Sequence, residues 1–278
     1  MDQTLGFARR RSPPSNPEPW TAVLLAGERP GDPLAKACHA PCKALVQVDG
    51  RPMLGRVAAT LLDNPRFERL IILSQHPETL EHDGPSWLAA EPRVSLQRSS
   101  DGISDSVRRV VEDPGTKCPV LVTTADHALL TDAMLDEFVD GSDGADVGIG
   151  VVERARLMQA YPESHRTWLK FSDGGFTGAN LFALRSRGIS GLLGFWARAE
   201  HNRKDTLKLF WQFGPRLFAR ALTRTISLPR ALERAGRSFG LRIKPVKLSI
   251  AEAGIDVDKP EDLALAERIL RRRRGIAA

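Results

Sequence analysis

The sequence is poor in cysteine and has no long apolar run. Its three cysteines, Cys38, Cys42 and Cys118, do not make a disulfide framework, so we expect a reducing, cytoplasmic environment. No stretch approaches the roughly 18 consecutive apolar residues that a membrane span needs. Residues 1–18, which carry several arginines and prolines, lack the apolar core of a signal peptide, and we predict a disordered leader there.

Several familiar signatures are also missing. The chain has no internal repeat, no Gly-Lys-Ser/Thr P-loop and no Gly-x-Gly-x-x-Gly dinucleotide fingerprint. It has no recognised nucleic-acid-binding module either, and we therefore expect no nucleic-acid partner. What remains is ordinary globular chemistry, 278 residues with 42% hydrophobic and 27% charged, which suffices for one large α/β domain or two modest ones.

The first half of the chain alternates short apolar runs with amphipathic segments. The predicted strands are Ala22–Ala26, Leu70–Ser74, Val94–Gln97, Val120–Thr124 and Asp146–Val152. The predicted helices are Met53–Leu62, Asp105–Val111 and Thr131–Val139. This alternation predicts an α/β fold, a Rossmann-like three-layer αβα sandwich with a mainly parallel central sheet. In such sheets the loops after the strands lie along one edge, where ligands bind.

The pattern changes after about residue 155. The predicted elements are strands Thr167–Phe171 and Ala179–Leu184, helices within 188–237, a strand near Leu241–Ile250 and a helix from Pro260 to Arg274. Pro260 suits a first helical turn, and Asp258 just before it suits a cap.

Two segments near the start carry the first chemical signal. In the first, Ala22-Val-Leu-Leu-Ala-Gly27-Glu-Arg29-Pro-Gly31, glycines follow a buried strand, so backbone N–H groups can approach an anion and Arg29 can neutralise it. The alternative is a loop that carries glycine for packing alone. In the second, Lys43-Ala-Leu-Val-Gln-Val-Asp-Gly50-Arg-Pro-Met-Leu, the lysine by itself reads as a surface residue beside a hairpin.

The order of the two segments, Leu-Ala-Gly, then Lys-x-Leu, then Gly-Arg-Pro-Met-Leu, resembles the opening of the nucleotidyltransferases with a glycosyltransferase-A-like fold. That group includes sugar-phosphate nucleotidyltransferases, the cytidylyltransferases of isoprenoid and acidic-sugar synthesis, and the MobA-like guanylyltransferase of the molybdenum cofactor. The resemblance implies that the glycine loop wraps a nucleoside triphosphate and that basic side chains bind its phosphates. The implied nucleotide contacts are Leu25, Ala26, Gly27 and Gly31, and the phosphate-binding Arg29 and Lys43 are implied catalytic residues. A weaker match, Gly102 with Ser106, implies a further nucleotide contact; its alternative is an ordinary helix cap.

Two later segments resemble the metal site of the same family. In Val120-Leu-Val-Thr-Thr-Ala-Asp126, a strand ends in the aspartate that holds Mg²⁺ in the family. Gly254-Ile-Asp256-Val-Asp258-Lys-Pro260-Glu-Asp262-Leu resembles its closing Asp-x-Pro-Glu-Asp-Leu element, whose early carboxylate supplies the second metal contact. The resemblance thus implies a Mg²⁺ cofactor on Asp126 with Asp258 or Asp256, in keeping with the hard oxygen ligands that Mg²⁺ prefers. The alternative is that Asp258 only caps the last helix.

The implied reaction transfers a nucleoside monophosphate from the triphosphate to a phosphorylated small molecule (a sugar, polyol or alcohol phosphate) and releases pyrophosphate. Residues 19–152 would bind the nucleotide, residues 153–249 the acceptor, and residues 250–278 would complete the metal site. Acceptor contacts are expected from Arg166, Lys170, Thr177 and Asn180. Two alternatives remain: a glycosyltransferase on the same fold, which would need Asp-x-Asp where this chain has Ala125-Asp126, and a non-catalytic module that binds nucleotide or a membrane surface.

Positive charge is concentrated in residues 195–242. Eleven Lys/Arg against three Asp/Glu give this segment a balance of +8 within a net charge of +6. An apolar stripe at helical spacing over 204–222 predicts a helical insert that covers the acceptor site or forms a homodimer contact. The alternative is a basic amphipathic surface on an anionic membrane, peripheral to its inner face. Cys38, His39 and Cys42 raise a zinc hypothesis, but no second paired cluster accompanies them.

Overall fold

A computed structural model describes residues 19–27, 31–100, 102–201 and 224–275, and for residues 199–201 it describes the backbone alone. The predicted leader 1–18, Arg29 and the whole of the predicted apolar stripe at 204–222 lie outside the described residues.

An eight-stranded sheet forms the centre of the molecule. The strands in chain order are β1 (Trp20–Leu25), β2 (Gln47–Val48), β3 (Arg51–Pro52), β4 (Phe67–Ser74), β5 (Val94–Arg98), β6 (Val120–Thr124), β7 (Val147–Glu153), β8 (Leu169–Phe171), β9 (Gly174–Leu184) and β10 (Ile243–Lys247). The sheet order is β10-β7-β9-β6-β1-β4-β5, β8 pairs with β9, and β2 with β3 form a separate hairpin. All sheet pairs are parallel except those of β9, which is antiparallel to β6, β7 and β8. The predicted mainly parallel sheet is confirmed.

Helices cover both faces of this sheet. They are α1 (Pro33–Ala37), α2 (Met53–Asp63), α3 (Pro77–Asp83), α4 (Ser86–Ala90), α5 (Ile103–Glu112), α6 (Asp132–Gly141), α7 (Arg154–Ala160), α8 (Ser190–His201), α9 (Leu228–Arg237) and α10 (Pro260–Arg273). One apolar core contains buried side chains of α2, α6 and α10, and a second contains those of α5 and α8, with α9 packed against it. The predicted three-layer αβα sandwich is therefore confirmed.

The central strands are apolar because they are buried on both faces. Ala22, Val23 and Leu24 of β1 have no exposed surface, and β1 pairs with β4 on one side and β6 on the other. Strands covered by helices on both faces carry continuous rather than alternating apolar runs. That property made β1, β4 and β6 recognisable in the sequence.

The boundaries differ from the sequence predictions at several ends. β4 begins at Phe67 rather than Leu70, and β9 begins at Gly174 rather than Ala179. The short helices α1, α3, α4 and α7 were not predicted, because five to seven residues are too few to show a helical period. The predicted division into residues 19–152, 153–249 and 250–278 stays a prediction; strands of the first two parts share one sheet.

The capping role predicted for Asp258 is wrong. The last helix, α10, has Lys259 as its N-cap, and Asp262 accepts the backbone N–H groups of Asp258 and Lys259 at 3.2 Å each. The side chain of Asp258 is therefore not used for capping.

Candidate active site at the carboxyl edge of the sheet

Lys43, Asp126 and Asp258 meet at the edge of the sheet where β1 and β6 end. The Lys43 ammonium donates to Asp126 Oδ2 at 2.6 Å and also to Asp258 Oδ1. The three residues come from distant parts of the sequence, and the structure brings together the phosphate-binding lysine and two of the metal ligands that the resemblance implies. Two carboxylates facing one ammonium leave a net negative charge, which suits a further cation.

Short local structures hold these three side chains in place. Lys43 begins a 3₁₀ turn, Lys43–Leu45, whose Ala44 and Leu45 are buried. Asp126 lies two residues after the end of β6, and Thr124 Oγ1 donates to its Oδ1. The closing segment, residues 254–263, joins this turn, because the Val257 N–H donates to the Asp126 carbonyl at 3.0 Å. Each charged group is thus fixed by a buried neighbour or a backbone hydrogen bond.

The Lys43 ammonium stays protonated. Burial lowers its pKa, but the charges and hydrogen bonds of Asp126 and Asp258 outweigh burial, and the pKa lies above its usual value of 10.5. The amine is therefore a permanent cation at neutral pH and suits the binding of an anionic phosphate.

The donor set at this edge fits Mg²⁺ better than zinc. Asp126 and Asp258 offer hard carboxylate oxygens, and Mg²⁺ in nucleotide sites takes one or two carboxylates while phosphates and waters complete the shell. Within the described parts of the chain, no three His, Cys, Asp or Glu side chains converge as a metal site. Cys38, His39 and Cys42 thus form no such group, and Cys42 is buried.

Asp256, the third metal candidate, is paired differently. Its carboxylate accepts from Arg166 Nη1, and its Oδ2 lies 3.5 Å from the amide nitrogen of Asn180. Arg166 also donates to the Asp256 carbonyl and to Asp262 Oδ1, each at 2.8 Å. The acceptor role predicted for Arg166 and the metal role predicted for Asp256 stay predictions, and both side chains are engaged with each other.

The other predicted acceptor residues lie on β8 and β9. Lys170 is exposed on β8, and Thr177 is buried on β9, where Gly254 approaches it closely. Asn180 has φ +49°, an uncommon left-handed conformation, and lies beside a register shift between β7 and β9. This irregularity brings Asn180 within reach of Asp256 near Asp258.

The glycine loop leaves β1 beside the end of β4. Leu25 ends β1, and the Ala26 N–H donates to the Leu73 carbonyl at 2.8 Å. A Cβ atom on Gly27 would lie 3.0 Å from the Gln75 amide oxygen, so glycine permits this close approach. Gly31 has φ +74°, and a Cβ there would lie 3.0 Å from Lys36 Nζ.

Lys36 is a residue that the sequence reasoning missed. Its ammonium lies over Gly31, in the loop predicted to wrap the triphosphate. Its position one turn into a helix that follows the glycine loop was a usable signal, since side chains of that turn can point back over the loop.

The Gly102–Ser106 match is structurally an ordinary helix start. Gly102 is the N-cap of α5; Ser106 Oγ donates to the Gly102 carbonyl at 2.7 Å and accepts from the Ser100 N–H at 2.8 Å. These bonds explain the serine locally, and its nucleotide contact stays a prediction.

The segment 195–242 leaves its proposed partners open. Among the described residues, no helix is long and apolar enough to cross a membrane. The homodimer contact and the anionic membrane surface stay predictions, since residues 202–223 lie outside the described part.

Comparison with known proteins gives one family and one fold. The model of the MobA-like NTP transferase domain matches residues 22–224. A hypothetical transferase from Thermus thermophilus is 25% identical, with a TM-score of 0.73 over 88% of this chain and 99% of that one. No curated protein matches the chain in sequence.

Two more distant solved structures show the fold alone. The 4-diphosphocytidyl-2C-methyl-D-erythritol synthase of Anaerococcus prevotii DSM 20548 is 12% identical, with a TM-score of 0.56 over 92% of this chain and 98% of that one. A CMP:2-keto-3-deoxy-manno-octonic acid synthetase complexed with CTP is 12% identical, with a TM-score of 0.59 over 92% of this chain and 100% of that one.

Proposed function

Because the chain belongs to the MobA-like NTP transferase family, we propose that it transfers a nucleoside monophosphate from a nucleoside triphosphate to a phosphorylated small molecule, with release of pyrophosphate. The acceptor would be a sugar, polyol or alcohol phosphate. Mg²⁺ is the proposed cofactor.

The observation that carries this proposal is the convergence of Lys43, Asp126 and Asp258. A cationic side chain for phosphate and two carboxylates for a hard metal lie together at the sheet edge, beside the glycine loop that follows β1. Open α/β sheets bind ligands at this edge. The arrangement supplies what phosphoryl-type transfer needs from a protein, namely positioning and charge neutralisation.

In the proposed reaction, an oxygen of the acceptor phosphate attacks the α-phosphorus in line, and pyrophosphate leaves. Lys43 binds the phosphates and stabilises the negative charge that develops on the leaving pyrophosphate. Asp126 and Asp258 would hold the metal, which would supply Lewis-acid stabilisation of the phosphate oxygens. No side chain needs to act as a general base, because a phosphate acceptor is already ionised at neutral pH.

The glycine loop would complete the phosphate site. Gly27 and Gly31 would let backbone N–H groups approach the triphosphate, and Arg29 would add a positive charge. Lys36 is a further candidate for this charge, because its ammonium lies over Gly31.

The acceptor would lie on the other side of Asp258, toward β9. Asn180 is the candidate that supports this placement best, because its amide is near Asp256 and the closing segment. Thr177 lies on the same strand, and Lys170 on the neighbouring strand β8.

The proposal is tested by measuring pyrophosphate release. The purified protein with Mg²⁺ is incubated with each of the four nucleoside triphosphates and a panel of sugar, polyol and alcohol phosphates. Asp126→Ala removes one metal ligand, and Asp143→Ala, which alters an exposed carboxylate elsewhere, is the matched control.

We expect release with one triphosphate and one acceptor, abolished in Asp126→Ala and kept in Asp143→Ala. If the protein instead hydrolyses a nucleotide sugar, or transfers the sugar from it to an acceptor, the glycosyltransferase alternative would be favoured. Nucleotide binding without turnover of any pair would favour the non-catalytic alternative, and release that survives Asp126→Ala would refute the proposed site.

A further inference from the structure

Arg166 is a buried arginine whose partners all belong to the closing segment or to its own loop. The exposed fraction of its side chain is 7%. Its guanidinium donates to the Asp256 carboxylate, to the Asp256 carbonyl at 2.8 Å and to Asp262 Oδ1 at 2.8 Å, while Nε lies 3.4 Å from Ser164 Oγ. A guanidinium used in this way has little capacity left for a ligand.

Asp262 connects this arginine to Asp258. One carboxylate oxygen, Oδ1, accepts from Arg166, and the other, Oδ2, accepts the backbone N–H of Asp258 at 3.2 Å. Asp262 is also buried within the first turn of α10. The position of the Asp258 backbone therefore depends on a carboxylate that Arg166 holds.

The charges in this region make the arginine necessary. Asp256, Asp258 and Asp262 occur within seven residues, and Asp126 faces Asp258 across Lys43. Without a cation behind them, the carboxylates of Asp256 and Asp262 would repel each other at close range. Arginine suits this place because its planar fork reaches two carboxylates and a carbonyl at once, which a lysine ammonium does not.

We propose that Arg166 is a positioning residue that fixes the Asp256–Asp262 turn so that the Asp258 carboxylate faces Asp126 as the second ligand of a divalent cation. This inference rests on the proposed function only in assuming that a divalent cation binds at Asp126 and Asp258. It replaces the acceptor contact expected for Arg166 from the sequence.

Mn²⁺ alone, added to the full chain without nucleotide, is the probe, and electron paramagnetic resonance counts the bound ion. Arg166→Lys and Arg166→Met should weaken Mn²⁺ binding by about tenfold or more, the usual effect of removing a group that orients a metal ligand, with the larger loss in the methionine variant. Arg268→Lys is the matched control. Arg268, on α10, pairs with Glu163 of the loop that carries Arg166, but its side chain is exposed to solvent. If the Arg166 variants do not fold, Mn²⁺ binding is measured in Asp256→Asn instead. This variant removes the charge of the Asp256 carboxylate that Arg166 contacts and keeps the Arg166–Asp262 ion pair.

A second measurement separates the three roles that Arg166 can have. With an active pair of substrates, a positioning role raises the Mg²⁺ concentration needed for half-maximal rate and leaves the KM of the acceptor unchanged. An acceptor contact raises that KM and leaves Mn²⁺ binding intact, which would overturn the proposal. A merely structural role lowers the melting temperature alone, which would also overturn it.

The failure of this inference is distinguishable from the failure of the proposed function. Mn²⁺ binding that needs Asp126, Asp258 and Arg166 supports the positioning role even when no substrate pair reacts. Wild-type protein that binds no Mn²⁺, or binds it equally in Arg166→Met, overturns the positioning role even when pyrophosphate is released.

Discussion

Lys43 and Asp258 lie 215 positions apart in the sequence and form an ion pair at the sheet edge. Asp126 accepts from the same ammonium at 2.6 Å. The lysine nitrogen therefore lies between the two carboxylates proposed to bind a divalent cation. A positive charge at that place would compete with such a cation in the absence of nucleotide, whereas phosphates would draw the lysine toward themselves.

Replacing Lys43 by methionine should strengthen Mn²⁺ binding and suppress pyrophosphate release. We expect Mn²⁺ affinity without nucleotide to rise by about tenfold, because a competing cation is removed from a partly buried site. Release of pyrophosphate should fall by about 100-fold or more, because the charge on the leaving group loses a donor. Isothermal titration measures the first quantity and a coupled assay the second.

Lys36→Met is the control for this comparison, since Lys36 lies over the glycine loop rather than between the aspartates. It should leave Mn²⁺ affinity unchanged in the absence of nucleotide. Weaker Mn²⁺ binding in Lys43→Met than in wild-type protein would contradict the competition.

His127 should make the protein sensitive to mild acid. Its ring is buried, neither ring nitrogen has a hydrogen-bond partner among the described residues, and burial lowers its pKa to about 4. The unfolded chain takes up this proton near pH 6.5 and the folded chain only near pH 4, so the free energy of unfolding falls as the pH drops through that window. The loss attributable to His127 is about 3 kcal/mol. His127→Leu should remove it, as measured by urea unfolding at pH 7.5 and 4.5.

His82→Asn supplies the comparison, because His82 is exposed on α3. It should keep the wild-type dependence on pH. If the free energy of unfolding of His127→Leu falls between pH 7.5 and 4.5 as much as that of the wild-type protein, the acid sensitivity belongs to other groups.

Gly254→Ala should destabilise the closing segment. A Cβ atom there would lie 2.9 Å from Thr177 Cγ2 and 3.2 Å from Val152 Cβ, closer than packed carbons tolerate. We expect the free energy of unfolding to fall by about 1–3 kcal/mol, the usual cost of overpacking. Gly178→Ala is the matched control, because a Cβ there meets nothing within 4 Å. Equal stability of the two variants in urea would show that the segment yields easily.

Asn180 allows its backbone and its amide to be tested separately. Its φ of +49° suits glycine but strains alanine, so Asn180→Ala should be about 1 kcal/mol less stable than Asn180→Gly. Both variants lose the amide, and both should raise the KM of the acceptor to a similar extent. A KM that changes only in the alanine variant would trace the effect to backbone strain instead.

Most strands of the sheet could be predicted from the sequence because each is a continuous apolar run. Runs such as Ala22–Leu25 and Val120–Thr124 are apolar without interruption, since helices cover both faces of their strands. The position of β9 between β6 and β7 was not predicted. Strand order depends on long-range pairing, and no pattern within β9 records which neighbours it will have.

The candidate site was predictable where a motif carried a charge. Lys43, Asp126 and Asp258 were chosen from their motifs, and the structure brings them together. The engagement of Arg166 with Asp256 and Asp262 was not predictable, because those partners are far from it in sequence. A lone arginine in a loop looks the same whether it meets a substrate or holds a neighbouring turn.

The position of β9 in the sheet sets the order in which the two halves of the candidate site can form during synthesis. β9 lies between β6 and β7 but is synthesised after both, so those two strands must wait for it before the sheet can be continuous. The half of the edge that holds Lys43 and Asp126 can therefore form on the ribosome before the half that holds Asn180 and Asp258. At roughly 5–20 residues per second, the nascent chain spends several seconds with a lysine and an aspartate in place but no second carboxylate. Pulse proteolysis of stalled chains would reveal the two stages.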